Sequence, residues 1–460
     1  MTLKTVKGML ATSVVLALGI GGAALVSVAG GTDGGTDGGA SASIPGWPIT
    51  ECGTFSGRGC APTRARVDLR VPKFSNPTKI DNPLFPISRL PSAVLLGEVE
   101  GKPFRSETTL LPGSSTVEWA GQRIKVLVSQ YTAYSDGRIE EVALDRYAQA
   151  DDGSVWYFGE DVFDYRNGLV AVTEGTWHAG ADGPPAMIMP AHPKVGDVFR
   201  PENIIGIVFE EVRIKAVGQT VDGPRGKVRG AIIAEELHLD GSHSDKVFAP
   251  GYGEFFTSSD GETEALAVAV HVDALDGPAP AELEFLSTSA FGILENARLE
   301  DWDAAVPTLR RMNAAWDKLQ DRGLPPLVAG DMNDAFAALE RAVGGERIGP
   351  TSQAAVDVAR SALDLELQYR PSVEIDLERF VLHTQQLRVH AAAKDLAGVT
   401  SEVAVLEWIR DRIAGELDPA GLQEIDARLR DLRSATDAKN VAGAADHAAR
   451  LASRLKLLTT

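Results

Sequence analysis

Between about Arg64 and Leu275 apolar and polar positions alternate with the period of two that marks strands. "RIKVLVSQYTAY" (Arg123–Tyr134) is rich in Val, Ile and Tyr, which fit a pleated surface. "GRIEEVALDRYAQA" follows after the turn Ser135-Asp136-Gly137. Next come "SVWYFGEDVFDY" and, after Arg166-Asn167-Gly168, "LVAVTEGTW". Asn-Gly is a strong hairpin signal because both residues tolerate positive φ. Further strands are expected over Ile207–Val217, Val228–Leu239, Lys246–Thr257 and Glu264–Ala274. Consecutive strands joined by short polar turns predict an antiparallel meander, twisted or curled into a half-barrel.

From Glu282 the period lengthens to that of a helix. Pro307 opens a segment running to Gln320, and Asp331 is placed to cap Met332–Val343. Gln353–Tyr369 ends before Pro371, and Ser372 is placed to cap Val373–Leu396. Thr400 and Asp418-Pro419 open two more helices, and the last spans about Asn440 to Lys456. Helices with short connections pack as an antiparallel bundle. The expected fold is therefore α+β: a sheet domain over 64–281, then a helical domain over 282–460.

The chain begins differently. Lys4 and Lys7 precede an apolar run from Met9 to Ala29, the pattern of an export signal or N-terminal anchor over 1–29. "GGTDGGTDGGASAS" (Gly30–Ser43) offers nothing to bury and reads as a tether, so 30–63 form a linker. Cys52 and Cys60, the chain's two cysteines, close a small loop as a disulfide if the protein is exported. A formal net charge of -19 is poorly suited to a phosphate backbone, so no nucleic-acid partner is expected. Contact with a membrane is expected only through the N-terminal segment.

The densest cluster of chemical groups is "DDGSVWYFGED" (Asp151–Asp161). Asp151-Asp152-Gly153 fits a turn, and the strand after it carries large apolar groups on both faces, so it should be covered on both sides. The string "DRYAQADDGSVWYFGEDVFDY", followed by "EGTWHAGADGPPAMIMPAHPKVGD", resembles a family of exported bacterial proteins of unknown function. "DNPLFPI" and "APGYGE" fit the same type, so the resemblance covers about Asp81 to Glu254. It implies an exported sheet domain and brings no known activity with it. The chain departs from the pattern at Pro184-Pro185-Ala186, where the family has Gly after Pro.

Several groups carry alternative chemistry. Trp119, Tyr131, Tyr147, Trp156, Phe158 and Trp177 would line a concave sheet face able to hold an apolar ligand or a segment of an envelope protein. Glu160, Asp161, Glu174, His178 and Asp182 lie in two successive strands and a loop, where carboxylates with an imidazole could take a metal ion. Ion pairing with Arg146 or Arg166 is the plainer reading of Glu160 and Asp161. Met187, Met189 and His192 are a weaker soft-metal set. "HLDGSHSD" (His238–Asp245) reads as a polar turn between strands, since hydrolytic triads draw on distant segments. Asp376, Arg379, His383, Gln386 and His390 form one polar stripe on a helix. With Asp364 or Glu366 it offers metal ligands, or it is a buried polar network joining bundle to sheet. No catalytic residue and no cofactor is expected. The expected function is that of an exported, non-catalytic binding or interaction protein, with a metal-binding protein or metal-dependent enzyme using acidic and histidine residues of the sheet domain as the alternative.

Overall fold

The structure is a computed structural model that describes residues 52–54, 57–259, 261–270 and 277–458. The apolar run and the tether lie outside these residues. Fifteen strands come first: β1 (Ser92–Val99), β2 (Lys102–Leu110), β3 (Ser115–Trp119), β4 (Gln122–Ser135), β5 (Arg138–Gln149), β6 (Val155–Arg166), β7 (Leu169–Val172), β8 (Trp177–His178), β9 (Ala186–Met189), β10 (Val198–Ile204), β11 (Val208–Gly223), β12 (Gly226–His238), β13 (His243–Ala249), β14 (Gly253–Ser259) and β15 (Glu262–Val270). Eight helices follow: α1 (Ala281–Arg298), α2 (Trp302–Gln320), α3 (Pro326–Gly344), α4 (Ile348–Glu366), α5 (Ser372–Ala392), α6 (Leu396–Ile413), α7 (Pro419–Asp437) and α8 (Val441–Leu458).

The strands form one antiparallel sheet in the order β10-β11-β12-β13-β14-β15-β1-β2-β4-β5-β6-β7, with β3 on β4 and both β8 and β9 on β6. The meander is broken where β15 pairs with β1, where β2 skips β3 to pair with β4, and where β8 and β9 return to β6. The sheet is open but curls until β10 packs against β9 and β6. Alternation then divides its side chains. One set faces the hollow of the curl, and the other meets the helices.

The turns formed where their residues dictate. Asp136 and Gly137 have φ of 48° and 72°, and Asn167 and Gly168 have 55° and 76°. The second turn also abuts the start of α6. A Cβ on Gly168 would lie 2.2 Å from Ser401 N, so glycine is required there by space as well as by φ. Two expected strands divide. "LVAVTEGTW" breaks into β7 and β8 across Thr173–Thr176. Lys246–Thr257 is the hairpin β13–β14, turned at Pro250-Gly251-Tyr252, where proline removes a ladder donor.

Helix starts moved for local reasons. Asp301 caps α2 by accepting from Ala304 N, so Pro307 lies inside the helix it was expected to open. Asp395 caps α6 by accepting from Gly398 N, placing Thr400 within the first turns. α3 begins at Pro326 rather than after Asp331, and α4 at Ile348 rather than Gln353; α5 stops at Ala392. Asp418-Pro419 opens α7 as expected.

The helices bury two cores rather than one. α1–α4, with Ile375 and Leu382 of α5, enclose the first together with Val94 and Leu96 of β1. α5–α8 enclose the second with Tyr134, Ile139 and Val142 of β4 and β5. Among the described residues no helix is long and apolar enough to cross a membrane. Cys52 and Cys60 are bonded, and Ala61 N, just beyond the loop, donates to Glu211 Oε1 at 2.6 Å, tying it to β11.

Candidate functional site

Two polar regions stand out, one on each face of the sheet. The first lies between sheet and helices. Alternation on β2 sends Arg105 and Glu107 to the helical side, where α4, α5 and α6 present Asp364, Arg379 and Arg412. Arg105 grips Asp364 with two bonds of 2.6 and 2.7 Å and also donates to Glu107. Arg412 donates to Glu107 at 2.7 Å, to Gln130 and to Thr132, all on the sheet. Arg379 donates to Asp364 at 2.9 Å and to Asp376 at 3.4 Å. Three guanidinium groups thus balance three carboxylates. Burial pushes the Glu107 and Asp364 carboxyls up, but their arginines outweigh it and hold both below the usual carboxylate range.

Beside this network a cavity of about 650 Å³ opens between sheet and bundle. Leu96, Phe104, Leu266, Leu327 and Leu382 supply apolar wall, and Arg105, Arg360, Tyr134 and His383 supply polar wall. Tyr134 stacks on His383, whose Nδ1 meets Glu402 Oε2 at 2.7 Å. The buried Tyr134 hydroxyl has no hydrogen-bond partner. Its pKa is raised by burial, so it stays a neutral donor.

The second region is the hollow of the curl. Its floor is acidic: Asp145, Glu160, Glu202, Glu210 and Glu236 are buried there with little positive charge. Asp145 accepts from Tyr157 Oη at 2.7 Å, yet burial raises its carboxyl to about 6. Neither oxygen of Glu160 has a donor; another carboxyl, Glu202, faces it. Burial first, and then Glu202, push Glu160 far up. Glu202 accepts from Trp177 Nε1 at 3.1 Å with one oxygen and leaves the other unpartnered. Lys246 bridges Glu236 at 3.2 Å and Glu254 at 3.3 Å.

The aromatic residues expected to line a concave face are distributed unevenly. Trp119, Tyr147, Trp156, Phe158 and Trp177 are buried in one core with Phe74 and Phe85 packed around them. Tyr147 stacks on Tyr157, which meets the Trp177 edge. Tyr131 is the half-buried one. It lines a small hollow of about 100 Å³ with Asp145 and Tyr147. The β6 strand is covered on both sides, and α6 reaches it through Trp408, which packs on Phe163 and donates to Tyr165 Oη.

Of the five acidic and imidazole residues expected near one another, Asp161, His178 and Asp182 meet, while Glu160 and Glu174 stand apart. A bulge at Gly159, with φ of 102°, lets Tyr157 and Glu160 share the inner face. Asp161 then points away and takes bonds from Arg146 at 2.5 Å and His178 Nε2 at 2.8 Å. Asp182 accepts from His178 N in a turn, and Glu174 is exposed. Met187 and Met189 are core residues on β9, while His192 is exposed on the loop beyond. Of the polar stripe of α5, Arg379 reaches the sheet, 3.8 Å from Glu107, and also meets Asp364, while His383 and His390 pair within the bundle with Glu402 and Asp395. Glu366 takes Arg370 instead of joining the stripe.

"HLDGSHSD" is the β12–β13 turn, but His238 at its start turns into the hollow. His238 Nε2 meets Ser244 Oγ at 2.9 Å, and Nδ1 lies 3.8 Å from Glu210 Oε1. The order of a serine triad is present, but Glu236 Oε2 also faces Ser244 Oγ at 3.4 Å. A carboxylate there opposes the negative charge that acyl transfer develops, so nucleophilic catalysis is disfavoured. Glu202, Glu210, Glu236, Arg105, Glu107 and Arg412 escaped the sequence reading. Their signal was an acid or arginine in phase with the apolar positions of a strand or helix, as in Glu141-Ala143-Asp145-Tyr147.

No protein-family model matches the chain, and the comparison with curated proteins finds no match.

Proposed function

We propose that this is an exported binding protein, and that it holds a small, largely apolar molecule with a hydrogen-bonding end between its sheet and its bundle. The cavity of about 650 Å³ carries the reading. Its size falls within the range of small-molecule sites, and such sites favour apolar walls with a few placed polar groups. Leu96, Phe104, Leu327 and Leu382 would hold the apolar body, and Arg360 would meet the polar end. The aromatic core of the sheet is already filled by its own side chains, which moves the ligand site from the concave face to the interdomain cleft. Export is supported by the lysine-flanked run at Met9–Ala29 and by the Cys52–Cys60 disulfide.

The test uses an environment-sensitive apolar dye and the protein with Leu382 changed to Trp, which fills the cleft. The native protein should bind the dye stoichiometrically, and L382W should bind it at least tenfold more weakly while keeping its circular dichroism. Equal binding by both, or none by the native protein, overturns the reading.

A further inference from the structure

We propose that Glu210, Glu236 and His238, in the hollow of the curled sheet, form a binding site for one divalent first-row transition-metal ion. The site is separate from the interdomain cleft and does not depend on it. The three residues come from adjacent strands β11 and β12, where Glu210 is paired in register with His238. Each offers one ligand atom, and these atoms all lie within 4.8 Å of one another. Two carboxylates and one imidazole suit such a metal better than calcium, which takes oxygen alone.

A second observation points into the same space. Glu202, in register with Glu210 across β10 and β11, is fully buried and has an oxygen with no partner. Behind it Glu160 is 0% exposed and has no donor to either oxygen. Buried carboxylates without donors are costly, and a bound cation removes that cost. Among these carboxylates the one lysine is Lys246, which is shared between Glu236 and Glu254.

The imidazole is already oriented. Ser244 Oγ holds His238 Nε2, which leaves Nδ1, the nitrogen nearer Glu210, for the ion. A second partner of this kind fixes a ligating ring and raises affinity. The His238 side chain is 18% exposed, which gives the ion a route in from the rim of the curl.

The experiment titrates chelator-stripped full chain with Mn²⁺, Co²⁺ and Zn²⁺ by equilibrium dialysis. The expected result is one ion per chain, with binding weakened at least tenfold in H238A and in E210Q and unchanged in H178A, on the outside of β8. Visible absorption of the Co²⁺ form should change in H238A. If a variant fails to fold, the native protein decides: its Tm must rise with added metal. No stoichiometric ion and no rise in Tm overturn the proposal, as does a folded H238A that binds like the native protein.

Discussion

The two faces of the sheet handle buried charge in opposite ways. On the helical face every carboxylate of the network meets a guanidinium; in the hollow, carboxylates meet each other. Arg105, Arg379 and Arg412 hold Glu107 and Asp364 ionised, and only Asp376 is raised, by burial. Glu160, Glu202 and Glu236 are all raised, by burial first. A paired face fixes geometry: two elements far apart in sequence are bound at one register. An unpaired face stores unfavourable energy that a proton or a cation can release. The first builds the molecule, and the second leaves it able to respond.

The sharpest way to break this contrast is to unpair the paired face. Arg412 is 0% exposed and serves Glu107 and Asp376 together. Arg412→Met should cost about 3–5 kcal/mol, because two carboxylates lose a buried partner. Urea unfolding at neutral pH checks it, and a loss under 1 kcal/mol would mean the network is not a structural rivet.

The pH dependence separates the faces next. A carboxyl raised in the folded state gives stability that is full below its unfolded pKa and is lost as pH rises through the folded one. For Asp145, raised to about 6, that window runs from about pH 4 to pH 6, and the loss is about 3 kcal/mol. Asn in its place still accepts from Tyr157, so D145N should remove this part of the slope and be the more stable form at pH 7.5. Glu107 and Asp364 act the other way: their stability is present above the ordinary carboxylate range and lost as pH falls through their depressed values. Unfolding curves across pH 3–8 on both proteins reveal whether the slopes differ in sign.

The smallest effect belongs to Tyr134, at the boundary of the network. Its hydroxyl has no partner, so Tyr134→Phe should leave stability of the ligand-free protein within about 0.5 kcal/mol. A larger loss would show that the hydroxyl is bonded in solution.

Much of the architecture was legible. The meander, its Asp-Gly and Asn-Gly turns, the change to helices near Glu282 and the disulfide all rest on local rules, and those rules held. Helix starts were less legible because caps compete: Asp301 lies six residues before Pro307, and Asp395 five before Thr400, the signals that the sequence offered. The site was least legible. Glu160 was singled out for its neighbour Asp161, yet the Gly159 bulge sends the two to opposite faces. Its true neighbour, Glu202, is 42 residues away in sequence and adjacent only because the sheet curls. No local pattern encodes that curl, which follows from accumulated strand twist.

The bond from Arg412 to Glu107 spans 305 residues. A ribosome delivers the sheet long before α6, so the growing chain carries Glu107 without Arg412 for most of its synthesis. Large-scale closure of this kind slows folding and lengthens exposure to wrong partners. Truncated chains ending after β15 should therefore depend on chaperones far more than the complete protein does.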